Sequence, residues 1–162
     1  MQYLYAPWRD EYVKNKKSCG CPFCDIVANP KDDKDNKVLY RDEFCFIVMN
    51  LYPYTPGHFM VIPNKHLDNI ESLEKETWLH MSELVQKCVR MLKEEMKVMG
   101  VNIGMNLGPC AGAGIAEHVH YHIVPRWERD TNFITTISDT RVYSTDFDAI
   151  FEKILESIQK YL

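Results

Sequence analysis

The chain has 162 residues and a net charge of −4, with a pI near 5.9, which is the size of one domain. With 46% hydrophobic and 26% charged residues it holds enough apolar surface to build a core, and this excludes global disorder. The acidic balance argues against a nucleic-acid polymer as partner, and no apolar run reaches the ~20 residues of a membrane span.

The opening stretch MQYLYAPWRDEY places charges and a proline where a secretion signal has its apolar core. Six cysteines without such a signal point to reduced thiols in a cytoplasm. Two of them, Cys21 and Cys24, form C-P-F-C, a spacing that suits a tetrahedral metal but equally a redox pair. Cys19 offers a third thiol beside them. Asn29–Lys37 (NPKDDKDNK) is the polar stretch and reads as an exposed, turn-rich loop. LYRDEFCFIVMN and GHFMVIP are rich in β-branched and aromatic residues, which predicts strands near 37–41, 44–50 and 58–62.

From Leu73 to Met99 the apolar residues Trp78, Leu79, Leu84, Val85, Cys88, Val89, Leu92 and Met96 recur at helical spacing, with charges between them. This predicts a long amphipathic helix closed by Gly100; His80 falls on its surface. VNIGMNL reads as a strand, GPCAGAG as a loop, HVHYHIVPRW as another strand and residues 147–161 as a second amphipathic helix. The expected fold is a single α+β domain over residues 1–162, an antiparallel sheet with one long and one C-terminal helix. Cys45, Cys88 and Cys110 read as small hydrophobes or incidental thiols.

The chemistry concentrates in HVHYHIV. Side chains alternate along a strand, so His118, His120 and His122 share one face while Val119, Tyr121 and Ile123 take the other. Imidazole suits nucleophilic, acid–base or metal duty at neutral pH. Just before it, Gly108, Gly112 and Gly114 form a loop whose backbone N–H groups suit an anion. Next to three aligned histidines, that loop becomes a candidate phosphate cradle.

HVHYHIV resembles the motif of the histidine-triad (HIT) family. MNLYPYTPGHFMVIPNKH is similar to that family's strand pair and Pro-Gly-His turn. GMNLGPCAGAGIAEHVHYHIVPRW and DTNFI resemble the bacterial diadenosine tetraphosphate phosphorylase branch. The resemblance spans about residues 20–135. It implies an α+β fold, a homodimer with a continuous sheet, and transfer or hydrolysis of a nucleotide substrate. On that resemblance His120 is the nucleophile, His122 orients the phosphate, and Asn50, His58, Gly112, Gly114 and Arg126 lie along the nucleotide. It also implies a structural zinc on Cys21, Cys24, His66 and His118. One departure is that GAGIAE (Gly112–Glu117) lacks the hydroxyl or amide side chain that some relatives place there.

Several readings of function stay open at this point. Water as acceptor makes a dinucleoside polyphosphate or phosphoramidate hydrolase, and inorganic phosphate makes a phosphorylase. A nucleotide- or zinc-binding module with little turnover is a different class. A metal shared by all three triad histidines would leave Cys21, Cys24 and His66 without a role.

Overall fold

The computed structural model describes residues 20–128, 130, 137 and 145–162; Cys19 and most of DTNFI lie outside them. Among these residues five strands form one antiparallel sheet. They are β1 (Val38–Arg41), β2 (Cys45–Met49), β3 (Phe59–Pro63), β4 (Gly100–Gly104) and β5 (Tyr121–Arg126), in spatial order β1-β2-β3-β5-β4. Every residue of β2 and β3 is buried, because both faces of the sheet are covered and the runs CFIVM and FMVIP have no polar side to offer.

One face packs under two helices, α2 (Lys75–Glu95) and α3 (Phe147–Ile158). On α2 the buried positions are Met81, Leu84, Val85, Cys88, Met91 and Leu92, the expected three-and-four spacing. The helix does not run to Gly100. It stops at Glu95, Lys97 adopts φ 53°, and Val98 N–H closes onto Leu92 C=O six residues back, just after the left-handed residue that commonly ends a helix. Gly100 instead opens β4. At the start of α3, Asp146 accepts a bond from Ala149 N–H at 2.9 Å, an N-cap. This helix ends at Ile158, short of the expected 161.

The other face holds a smaller cluster of Phe46, Val48, Met60 and Ile62 under α1 (Pro22–Ala28), a helix the C-P-F-C spacing alone did not predict. Its first residue is Pro22, where a missing N–H costs nothing. Its last carbonyls are held by Arg41, whose guanidinium donates to Ile26 C=O at 3.0 Å and is also bound to Asp33. The stretch expected as a plain loop contains a 3-10 turn at Pro30–Asp32.

The strand expected from His118 starts only at Tyr121. Register extends the ladder from Val61↔Tyr121 towards Pro63, which has no N–H to donate. The carbonyl of Pro63 takes a side-chain bond instead, from His118. Val119 N–H turns to Leu67 C=O at 2.7 Å.

The turn between β2 and β3 is pinned from three sides. Thr55 Oγ1 donates to Pro125 C=O at 2.9 Å, and His58 N–H returns to Thr55 C=O. Gly57 sits at φ 75°, with Ile150 and Ile154 of α3 within 3.3 Å of where a Cβ would stand. Gly57→Ala is therefore expected to destabilise the fold by about 1–2 kcal/mol from the backbone conformation alone, read as a lower urea midpoint with unchanged slope. An unchanged midpoint would contradict this packing.

Candidate active site and metal centre

His118 sits at 0% exposure and His120 at 5%, so each ring needs partners in the protein. The partners also fix the protons. His118 lies 2.8 Å from the Pro63 carbonyl through Nε2, and a carbonyl only accepts, so Nε2 carries the hydrogen and Nδ1 is a bare lone pair. His120 meets the carbonyl of His118 through Nδ1 at 2.8 Å. Its proton is on Nδ1, and Nε2 is left as a nucleophilic lone pair.

A second relay sets His122. Tyr54 N–H donates to His58 Nδ1 at 3.1 Å, so the proton of His58 sits on Nε2. That N–H faces His122 Nδ1 at 3.0 Å, which makes His122 an acceptor at Nδ1 and a donor at Nε2. The site thus pairs a bare nitrogen on His120 with an N–H on His122, their ring centres 4.8 Å apart. Burial keeps these rings neutral. It pushes His58 down to about 3, with His122 and His120 adding to it, and His122 down to about 4, with His120 adding. His118 and His120 are also lowered, burial first.

The other expected residues divide. His58 is fully buried, so its part is to hold His122. Asn50 accepts a bond from Tyr52 N–H at 2.9 Å through Oδ1, an Asx turn, and its Nδ2 lies 3.3 Å from His58 Nδ1. Gly112 has φ 89° and Gly108 φ 82°, values that favour glycine. The loop is seated by Ile115, which packs on the α1-side cluster. Arg126 is not brought to the triad. It stands four residues beyond His122, roughly 13 Å along an extended strand. Its guanidinium is held by both carboxylate oxygens of Asp130 and by Asn102 Oδ1 at 2.9 Å. Two neighbours carry no motif of their own. Phe23, between the two cysteines, meets His118 and His120 edge-on at 5.5 and 5.1 Å. Tyr54 lies against His58 and His122 at 4.6 and 5.7 Å.

Cys21, Cys24, His66 and His118 converge, with donor atoms all within 4.8 Å of one another. Cys21 Sγ is 3.4 Å from His118 Nδ1, and Cys24 Sγ is 3.2 Å from His66 Nδ1 and 3.8 Å from His118 Nδ1. A tetrahedral ion with bonds of about 2.3 Å to sulfur and 2.0 Å to nitrogen has edges of about 3.3–3.8 Å. The donors fit, and the bare Nδ1 of His118 is the one turned to the thiols, its other nitrogen fixed by Pro63 as metal-bound histidines usually are.

A second cluster, Asp42, Cys45 and His80, does not have that geometry. His80 Nε2 is only 2.6 Å from Asp42 Oδ2, and Asp42 Oδ1 accepts from the N–H of Phe44 and Cys45. This is a hydrogen-bonded corner, and it corrects the expectation that His80 is merely a surface residue. Cys45 and Cys88 are fully buried and Cys110 is exposed on the glycine loop.

Comparison with known proteins matches this arrangement. Residues 31–129 match the model of the HIT domain. The chain is 36% identical over 149 residues to the AP-4-A phosphorylase of Mycobacterium tuberculosis, covering 88% of this chain and 76% of that one. Among solved structures, a Zn-bound histidine triad family protein from Mycobacterium smegmatis superposes with a TM-score of 0.71 at 27% identity, over 87% of this chain and 94% of that one. A hypothetical histidine triad nucleotide-binding protein from Sulfolobus tokodaii gives 0.68 at 27%, over 86% and 93%. With the aligned histidines, the glycine loop and the sheet order all in place, the chain belongs to the HIT domain family, on the branch of the mycobacterial phosphorylase.

Proposed function

We propose that the chain transfers a nucleotidyl group from a dinucleoside polyphosphate to inorganic phosphate, through a covalent intermediate on His120. The observation that carries this reading is the pair of opposed tautomers, a bare Nε2 on His120 beside an N–H on His122. The lone pair of His120 Nε2 forms a bond to phosphorus as the bridging P–O bond breaks. The departing oxygen takes a hydrogen bond from His122 Nε2. The His118 carbonyl, already bonded to His120 Nδ1–H, stabilises the positive charge that the ring gains. An oxygen of the acceptor then attacks the phosphorus and returns His120 to its starting form.

The acceptor in this reading is inorganic phosphate. Identity to a protein named for phosphorolysis supports phosphate. Arg126, held by Asp130, is a poor candidate for the cation beside it. The glycine loop is the better one, since backbone N–H groups recognise anions without a side chain. That also accommodates the lack of a hydroxyl or amide in Gly112–Glu117. Zinc is the metal proposed for Cys21, Cys24, His66 and His118. With four protein ligands it is structural, and it supplies folding energy and no step of the reaction. Thiolate ligands fit a reducing cytoplasm. A homodimer is proposed through β4, an edge strand that carries exposed Ile103 beside exposed Met99, the kind of edge that pairs with another chain.

Incubation of diadenosine tetraphosphate with oxygen-labelled phosphate is expected to give ATP and ADP, the label appearing in ADP. AMP carrying water oxygen, whether or not phosphate is present, would make the chain a hydrolase. His120→Ala should lose several powers of ten in rate while keeping its fold; turnover near the original rate would remove His120 as nucleophile.

The purified chain should also carry about one equivalent of zinc. Cys24→Ser is expected to lose metal and lower thermal stability together. Full metal content in the Cys21→Ser, Cys24→Ser double variant would overturn the ligand set.

A further inference from the structure

Tyr54 lies on the donor side of the histidine pair, and neither the nucleophile nor the metal accounts for it. Its ring is 4.6 Å from that of His58 and 5.7 Å from that of His122, tilted about 35° to both, yet the residue is 45% exposed. The turn that carries it is stiff. Pro53 and Pro56 flank it in sequence, and its own N–H is fixed on His58 Nδ1. Thr55, the next residue, is tied to Pro125. The backbone under the ring is therefore fixed before any ligand arrives and the ring is backed by His58, which limits the freedom to be lost on contact.

The reaction proposed above gives that position a direction. Attack by His120 Nε2 is in line, so the leaving oxygen departs from phosphorus on the side away from His120. It departs towards the N–H that assists it, on His122. The chain of atoms that follows the leaving oxygen therefore starts beside His122, whose exposed aromatic neighbour is Tyr54. In a dinucleoside polyphosphate the leaving group is itself a nucleotide and ends in a second base. An exposed, rigid aromatic face offers a purine a stacking surface without demanding one pattern of hydrogen bonds.

We infer that Tyr54 is a specificity-determining residue that stacks on the base of the leaving nucleotide, so that the site prefers dinucleoside polyphosphates to mononucleotides with the same phosphate chain. This rests on the nucleotidyl-transfer reading and adds the recognition of the second nucleoside.

A matched pair of substrates tests it. Diadenosine tetraphosphate and adenosine 5′-tetraphosphate carry the same chain of phosphates and differ by one adenosine. Initial rates with the unsubstituted protein, Tyr54→Ala and Tyr54→Phe give kcat/KM for each. The ratio between substrates cancels any disturbance of His58 or His122, since both substrates need the same donor. The unsubstituted protein should favour the dinucleotide, and Tyr54→Ala should cut that preference by about fivefold to a hundredfold, mostly in KM. Tyr54→Phe should retain it, because stacking needs the ring and not the hydroxyl. An equal loss on both substrates, or no preference in the unsubstituted protein, overturns the inference while leaving the nucleotidyl-transfer reading intact. Failure to turn over either substrate overturns both.

Discussion

The arrangement depends on one residue, His118, used at three points. Its Nε2–H is anchored on the Pro63 carbonyl, its Nδ1 faces the thiols of Cys21 and Cys24, and its own carbonyl accepts the proton of His120. Sheet, Cys/His cluster and the bare nitrogen of His120 therefore meet within two residues of chain. A ring free to rotate at His118 would lose its direction towards the thiols. A backbone free to shift there would let the His120 proton move to the wrong nitrogen. Pro63 makes this possible, because a residue with no N–H ends the ladder and leaves its carbonyl for a side chain.

The short helix α1 reinforces the same point from the other face. It brings Cys21 and Cys24 to the cluster, and its Phe23 ring meets both His118 and His120 edge-on, a kind of contact worth about 0.5–1.5 kcal/mol each beyond burial. Arg41 closes its C-terminus and is held in turn by Asp33. The Cys/His cluster and the orientation of the His120 ring are therefore coupled through packing. His58 plays the parallel part for His122. Low dielectric keeps these histidines neutral, so the sequence of donors and acceptors, not charge, defines which ring nitrogen is bare and which carries a proton.

Much of this was legible in the residues. Alternation in HVHYHIV places three imidazoles on one side because a strand repeats every two residues, and the structure keeps that even though the ladder begins only at Tyr121. Both predicted helices follow from apolar periodicity, and the strands from runs rich in β-branched and aromatic residues. What periodicity cannot supply is the identity of partners far away in sequence. Lys97, not Gly100, ends α2 because the chain reverses as soon as Val98 has a core to enter. Arg126 is an available cation in sequence and a committed one in space, since Asp130 lies four residues on and is turned back on it. His80 reads as a surface position on a helix, while its contact with Asp42 crosses 38 residues. The seven residues of α1 are too few to show a period, so the cysteine spacing was visible and the helix was not.

Backbone carbonyls and one buried histidine fix the protons of the triad. Nitrogen-15 resonances of the histidine rings in the folded, metal-loaded protein near neutral pH test it directly, because protonated and bare ring nitrogens resonate far apart. The hydrogen of His120 is expected on Nδ1 with Nε2 bare, and His58 and His122 should both carry theirs on Nε2. A proton on His120 Nε2, or a doubly protonated His120 at that pH, would contradict it.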